Sequence, residues 1–318
     1  MEVIKPVKSI QDAVYIKDFK FACGCRVPIY QVNTIHSLTQ IIGYVKYINA
    51  SYGNVLYRGQ CRLYDTIKPG IYRNVNSDNA MQRRDHWLKK AIENAKGDKE
   101  FSKFIHLENS FKDQVMLESV FQHYGIPTHY IDVVDNHWIA LWFGAYKYIP
   151  YIYNSFCKYE MRSININDAL LHKIGLSDAE FDAYLATIRE DMYQYILLIA
   201  ASRPERPINE GVTIGEDTIS VDLRHALPST FLRPHAQHGW TVRKKTLSND
   251  YDDLDLADHV VGILRIRVCD ALKWIGNGEL LTQESLFPNP NFDQGYNVLL
   301  NHADYFAEAN WKIPIYVS

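Results

Sequence analysis

Cysteine is scarce and shows no framework. Five cysteines are scattered over 318 residues, an odd set that excludes a disulfide-stapled scaffold and suits a reducing compartment. Cys23 and Cys25 are the one close pair. A single intervening residue is tight for two ligands of one zinc and no second pair exists, so no metal site is expected. Cys61, Cys157 and Cys269 read as core thiols. No apolar run approaches the length of a bilayer span, and the opening Met-Glu-Val-Ile-Lys has no signal-peptide pattern, so a cytosolic chain with no membrane partner is expected. A long basic run is also missing, and the formal charge is -3. That argues against a dedicated nucleic-acid binder, which needs a phosphate-neutralising surface. The short basic spots at 203–206 and 243–245 read as solvated faces. The P-loop, GxGxxG, GxSxG and HExxH patterns are all absent from the sequence, which removes the commonest nucleotide, hydrolase and zinc-protease readings. There is no repeat, low-complexity segment or flexible linker.

What is present is ordinary globular material: 47% hydrophobic and 22% charged residues can bury a sizeable core. Tyrosine is abundant, at 22 residues, and tyrosine-lined clefts are expected because the ring packs while the hydroxyl stays available. The length fits one large domain or two ordinary ones. A single α+β domain is preferred, with a mixed or antiparallel β core and helical excursions. Residues 1–30 read as an N-terminal extension, a strand or hairpin decorating a domain that runs over 31–318.

Hydrophobic spacing places a helix from Thr34, its N-cap, through Ile35, Leu38, Ile41, Ile42, Val45 and Ile48. Val55-Leu56-Tyr57 then reads as a strand ending in Arg58-Gly59-Gln60, followed by a turn at Lys68-Pro69-Gly70. A polar helix over 79–95 is predicted, then one long amphipathic helix over 100–124. Gly125 stops that helix and Pro127 prevents its continuation. Tyr130 to Val134 is a strand, and Asp135 or Asn136 caps an almost wholly apolar helix through Tyr146. Further along, the pattern gives a strand over 156–166, helices near 167–173 and 177–201, strands over 237–245 and 260–268, and helices near 269–275, 279–286 and 291–308.

The chemistry-bearing residues gather at the ends of these elements. Arg58 ends a strand, where a guanidinium fork can grip phosphate oxygens. Gly59 would let a ligand approach the backbone, and Gln60 adds an amide. A salt-bridged arginine at a turn is the alternative. Asp132 sits in an apolar strand, where a carboxylate needs partners; it either fixes the loop after Pro127, pairs with Arg58, or acts on a ligand. Gln237 starts a strand and could face the same cleft as Arg58. His123, His129, His235 and His238 each read first as structural histidines, and the strand-like context of His235 and His238 argues against a metal pair. Trp138, Trp142 and Phe143 read as core.

Three blocks in order, Tyr57-Arg58-Gly59-Gln60, Gln122 through Thr128 continuing to Asp132 and Ala140–Ala145, and Arg233 through Trp240, resemble the FRG domain, a bacterial and phage family. A late Leu286-Phe287-Pro288 resembles its closing element. The chain departs from the family at His129, where an arginine is usual, and at Val133-Val134, where Trp-Thr is usual. FRG domains in turn resemble the ADP-ribosyltransferase fold. That resemblance implies NAD as substrate, Arg58 on its pyrophosphate, and Asp132 orienting or acting on the ligand. It further implies Gln237 at the ribose where a glutamate is usual, and Tyr57, Tyr124 and Trp240 around a ring, with Gly59, Gln60 and His129 completing the pocket. A neutral amide at 237 offsets charge developing at C1′ less well than a carboxylate. Glu210 or Glu216, on an unassigned loop, is the remaining candidate for that role. The expected activity is transfer of ADP-ribose to a protein or nucleic-acid acceptor, in a toxin or antiphage effector. The alternatives are a non-catalytic nucleotide- or protein-binding module on the same fold, and a scaffold.

Overall fold

A nine-stranded mixed sheet organises the chain, and its most deeply buried strand is a segment whose pattern reads as helix. The structure is a computed structural model, and it describes all residues except 5–9, 11, 76, 109, 152–154, 163–176, 178–190, 205–210, 247–253 and 318. The predicted helix near 167–173 and the 178–190 part of the next lie outside the described residues. The remainder of that second helix is instead a strand, Tyr193–Ser202. Its run Tyr-Ile-Leu-Leu-Ile-Ala-Ala is apolar on both faces, and such a run has no period that separates a buried strand from a buried helix.

In chain order the sheet takes β1 (Ala13–Lys20), β2 (Arg26–Val32) and β3 (Gly53–Gln60). It continues with β4 (Ile131–Val134), β7 (Tyr193–Ser202), β8 (Val212–Ile214), β9 (Thr218–Asp222), β10 (Gly239–Lys244) and β11 (Val260–Arg267). The spatial order is β1-β2-β11-β7-β3-β4-β10-β9-β8. The β2–β11 pair is parallel, whereas β3, β7, β4 and β10 pair antiparallel. A second sheet joins β5 (Tyr146–Pro150), β6 (Phe156–Met161) and β12 (Ile315–Tyr316). The first thirty residues are therefore no appendage: β1 and β2 extend the main sheet through β11.

Helix α1 (Ile35–Ile48) starts at Thr34 in a capping box, as its sequence predicts. Helix α2 is Asp78–Gly97. The expected single helix over 100–124 is two: α3 (Lys99–Ile105) and α4 (Phe111–His123). His106 takes left-handed backbone at φ 60°, and Ser110 with Asp113 forms a new capping box, so local capping overrides a continuous apolar pattern. Helix α5 (His137–Ala145) is capped by Asn136 and stops one residue before Tyr146, which opens β5. The Arg233–Trp240 block starts with a short helix, not a strand. After α6 (Leu223–Ala226) comes α7 (Leu232–Ala236), then Gln237 as its C-cap and β10 from Gly239. The C-terminal helices are α8 (Val268–Trp274), α9 (Gln283–Leu286) and α10 (Gln294–Asn301).

Three apolar clusters hold the layers. On one sheet face Val55, Tyr57, Leu198 and Leu264 meet α1, α5 and α8. On the other, Leu56, Val133, Leu197 and Ile263 form a second cluster. A third lies among α2, α3, α4 and the C-terminal helices. Burial of such apolar area is the main favourable term. Cys157 is buried and Cys61 half-buried, but Cys269 is exposed, against its reading as a core thiol. Among the described residues no helix is long and apolar enough to cross a membrane.

Candidate functional site

A cleft of about 1400 Å³ opens where β3 and β4 part. The two strands share only the Tyr57–Val134 pairing before they diverge. Arg58, Gln60, Asp132 and Gln237 all line this cleft, so the three residues proposed for catalysis converge on one space.

Strand alternation sends Tyr57 and Gly59 to the α5 side and Arg58 and Gln60 away from it. Gly59 is a packing glycine. A Cβ there would lie 1.9 Å from the Ala140 carbonyl oxygen of α5. It lets the helix lie on the strand, and it also lines the cleft. The close approach brings the Tyr57-Arg58-Gly59 block against the helix that carries the second block's Ala140 and Gly144.

Arg58 is bound to the second block directly. Its Nη1 donates to the Asp132 carbonyl oxygen at 2.5 Å, while its Nε is buried without a partner. Among the described residues the guanidinium makes no ion pair. Desolvation and the nearby Arg73 charge push its pKa down to about 10, with Asp132 partly offsetting them, so it remains a cation at neutral pH.

The carboxylate of Asp132 is held from behind. Gln122 Nε2 donates to Oδ2 at 2.6 Å, Thr128 Oγ1 donates to Gln122 Oε1 at 2.8 Å, and His123 Nδ1 lies 3.5 Å from Oδ1. The Gln-His-Tyr-Gly-Ile-Pro-Thr motif thus becomes a relay that orients one carboxylate. That side chain is 43% exposed, while its Oδ1 is buried and has no hydrogen-bond partner among the described residues. Gly239 contributes by absence, since a Cβ there would meet His123 Cε1 at 2.6 Å.

Gln237 is buried and its Nε2 donates to the Leu286 carbonyl at 2.8 Å. It ties the third block to the closing Leu-Phe-Pro element. Glu216 is exposed and does not line the cleft, and Glu210 lies outside the described residues.

Four expected ligand contacts are corrected. Tyr57, Tyr124 and Trp240 cannot sandwich a ring, because they pack against three different apolar clusters. Tyr57 is fully buried, with its ring edge-on to His137 and Lys46 5.3 Å from its centroid. Tyr124 is fully buried, donates its hydroxyl to Asp293 at 2.8 Å, and lies 4.3 Å from the guanidinium of Arg233. Trp240 is half-buried in its cluster and does not line the cleft. Arg233 itself is fully enclosed by Tyr124, Tyr296, Tyr316 and Phe287, a cation–π joint between blocks.

His129, the fourth, is also away from the cleft. Its Nδ1 contacts Glu118 at 2.6 Å and its Nε2 contacts Asp85 at 3.1 Å. Burial opposes its charge, but Glu118 and Asp85 outweigh it and raise the pKa to about 9. His129 is therefore a buried cation at neutral pH. A folded pKa above the unfolded value means that the native state holds an extra proton. The stabilisation is full below about pH 6.5 and is lost as pH rises through 9. Denaturant melts are expected to lose on the order of 2–3 kcal/mol across that window, and His129→Gln is expected to flatten the slope. An equally steep loss in the variant would place the effect elsewhere. His238, at φ 49°, contacts Asp135 and Arg224 at 3.0 Å each, and His235 is exposed.

Sequence reasoning missed the opposite wall of the cleft. Residues 61–77, between β3 and α2, contribute Tyr64, Lys68 and Arg73, while Tyr148, Tyr159 and Tyr316 come from the small sheet. The long connection after a functional strand was the available signal; the tyrosines became neighbours only through tertiary packing.

The strand-borne arginine, the carboxylate relay and the helix seated on Gly59 define a cleft built on a family motif. Residues 53–149 match the family model described as the FRG domain. The match runs from β3 to β5 and includes the first two blocks, while Gln237 and Leu286-Phe287-Pro288 lie beyond it. No curated protein and no solved structure matches the chain.

Proposed function

We propose that the cleft binds NAD or a closely related nucleotide by its diphosphate, and that the protein is an ADP-ribosyltransferase-like enzyme of the cytoplasm. One observation carries this reading. Arg58 and Arg73 line one cleft, and neither guanidinium is ion-paired with a described residue. Two guanidinium forks lining one cleft without ion-pair partners favour a ligand with two negative groups. The missing glutamate is replaced by Asp132. Its oriented carboxylate can stabilise the positive charge at the ribose C1′ as the bond to nicotinamide breaks. The bonding pair leaves with nicotinamide, and a nucleophile of a protein or nucleic-acid acceptor bonds to C1′ and loses its proton. Such an activity suits a toxin or antiphage effector.

Nicotinamide release from NAD, with and without cell lysate, tests this. Wild-type protein is expected to release it, and Asp132→Asn to bind NAD yet release at least about 100-fold less. The neutral Gln237, which donates to a backbone carbonyl, favours a second reading, a non-catalytic nucleotide-binding module. NAD bound and recovered intact from the wild type would select it.

A further inference from the structure

The connection between β3 and α2 is long, yet it is pinned along its length. Ala22 N donates to Asp65 O at 2.8 Å, and Ile67 N to Asp255 Oδ1 at 2.7 Å. Ile71 N reaches Thr128 O at 3.3 Å. Arg84 Nη1 donates to the carbonyls of Ile71 and Arg73, each at 2.9 Å. Three loops and helix α2 thus hold this strap in place. Two of its side chains remain uncommitted at their working ends. Tyr64 lines the cleft and is 56% exposed, so its ring faces are open to a ligand. Arg73 also lines the cleft and is exposed, and among the described residues its side chain is held through Nε, which donates to Lys68 O at 2.9 Å. That bond aims the fork and leaves both terminal nitrogens for a ligand.

We infer that Tyr64 and Arg73 form the second half of the ligand site, Tyr64 stacking a nucleobase and Arg73 gripping phosphate opposite Arg58, so that the cleft selects a nucleoside diphosphate unit. The inference rests on the diphosphate reading above and adds to it the base-binding surface and the second phosphate grip. The surroundings agree. Arg73 weakens the protonation of Arg58. The two cations are close enough to repel, and a bridging anion relieves that repulsion. An aromatic face takes any base, because every base has a π-face. The diphosphate fixes the orientation, and the ring adds affinity without demanding one base.

Titration calorimetry on the full chain with ADP, adenosine and inorganic pyrophosphate separates the parts. Tyr64→Ala is expected to weaken ADP and adenosine about tenfold and leave pyrophosphate unchanged, with Tyr64→Phe restoring both. Arg73→Ala is expected to weaken ADP and pyrophosphate at least about tenfold and leave adenosine unchanged. Both positions are exposed, and circular dichroism checks that each variant is folded. If both variants bind ADP as the wild type does while Arg58→Ala does not, the strap is no subsite and the diphosphate reading survives. Wild-type protein that binds neither ADP nor pyrophosphate would overturn both.

Discussion

Gly59→Ala is expected to cost at least about 4 kcal/mol, or to leave no folded protein. The added methyl group would meet backbone on every side: Ala140 O at 1.9 Å, Ala140 C at 2.8 Å and Gly144 N at 3.0 Å. None of these is the end of a flexible side chain, so relief requires α5 to lift from β3. That helix is almost entirely buried, with Trp142 stacked on Tyr146 and in contact with Tyr159 and Phe287. Lifting it would open the principal core cluster and part the two motif blocks that form the cleft. Gly43→Ala is the control. Gly43 lies on the exposed side of α1 with nothing within 4 Å of its ideal Cβ, and alanine there is expected to stabilise by about 0.5–1 kcal/mol through helix propensity. Urea melts of the two variants should therefore move in opposite directions. Equal, small effects would mean that Gly59 is kept for something other than the helix-to-strand approach.

Position 59 also shows what was legible in the sequence. A glycine after a strand arginine marks a close approach, but the pattern does not say what approaches. The sequence reading expected a ligand, and the structure puts a helix carbonyl there. Gln122 through Asp132 was readable as helix end, turn and strand because Gly125 (φ 94°) and Pro127 punctuate it locally. Its hydrogen-bond relay onto Asp132 was not readable, since it depends on side chains meeting across the turn. Tyr57, Tyr124 and Trp240 were grouped because aromatics near motifs suggest stacking, yet strand alternation and helix facing send them into three cores. Tyr193–Ser202 was misread because a strand buried on both faces loses the alternation that identifies strands. Arg58, Asp132 and Gln237 do share one cleft, because strand ends and a helix cap at the same edge of a sheet are brought together by topology.

Arg58→Met is expected to weaken diphosphate binding about a hundredfold while leaving the protein as stable as before, or more so. The two outcomes have one cause. Removing a fork that makes two charge-assisted hydrogen bonds costs roughly 3 kcal/mol of affinity, about a hundredfold. Arg58→Lys should recover only part of this, because a point charge cannot bind bidentately. In the absence of ligand, the same guanidinium is unfavourable to the fold. Desolvation and Arg73 hold its pKa down to about 10, and among the described residues its Nε has no partner while its Nη1 donates to the Asp132 carbonyl. A cation kept under those conditions without a carboxylate partner reduces stability, and a residue retained at such a cost is a mark of function rather than folding. The Asp132 carbonyl left behind lies at an open cleft and can turn to water, so its loss of Arg58 is mild. Pyrophosphate titration and a thermal melt of the same sample decide the matter. Binding in the wild type should weaken with added salt, and the residual binding of the variant should depend on salt less. If Arg58→Met unfolds at markedly lower temperature and pyrophosphate affinity is untouched, Arg58 is a clamp on β4 and the diphosphate reading fails.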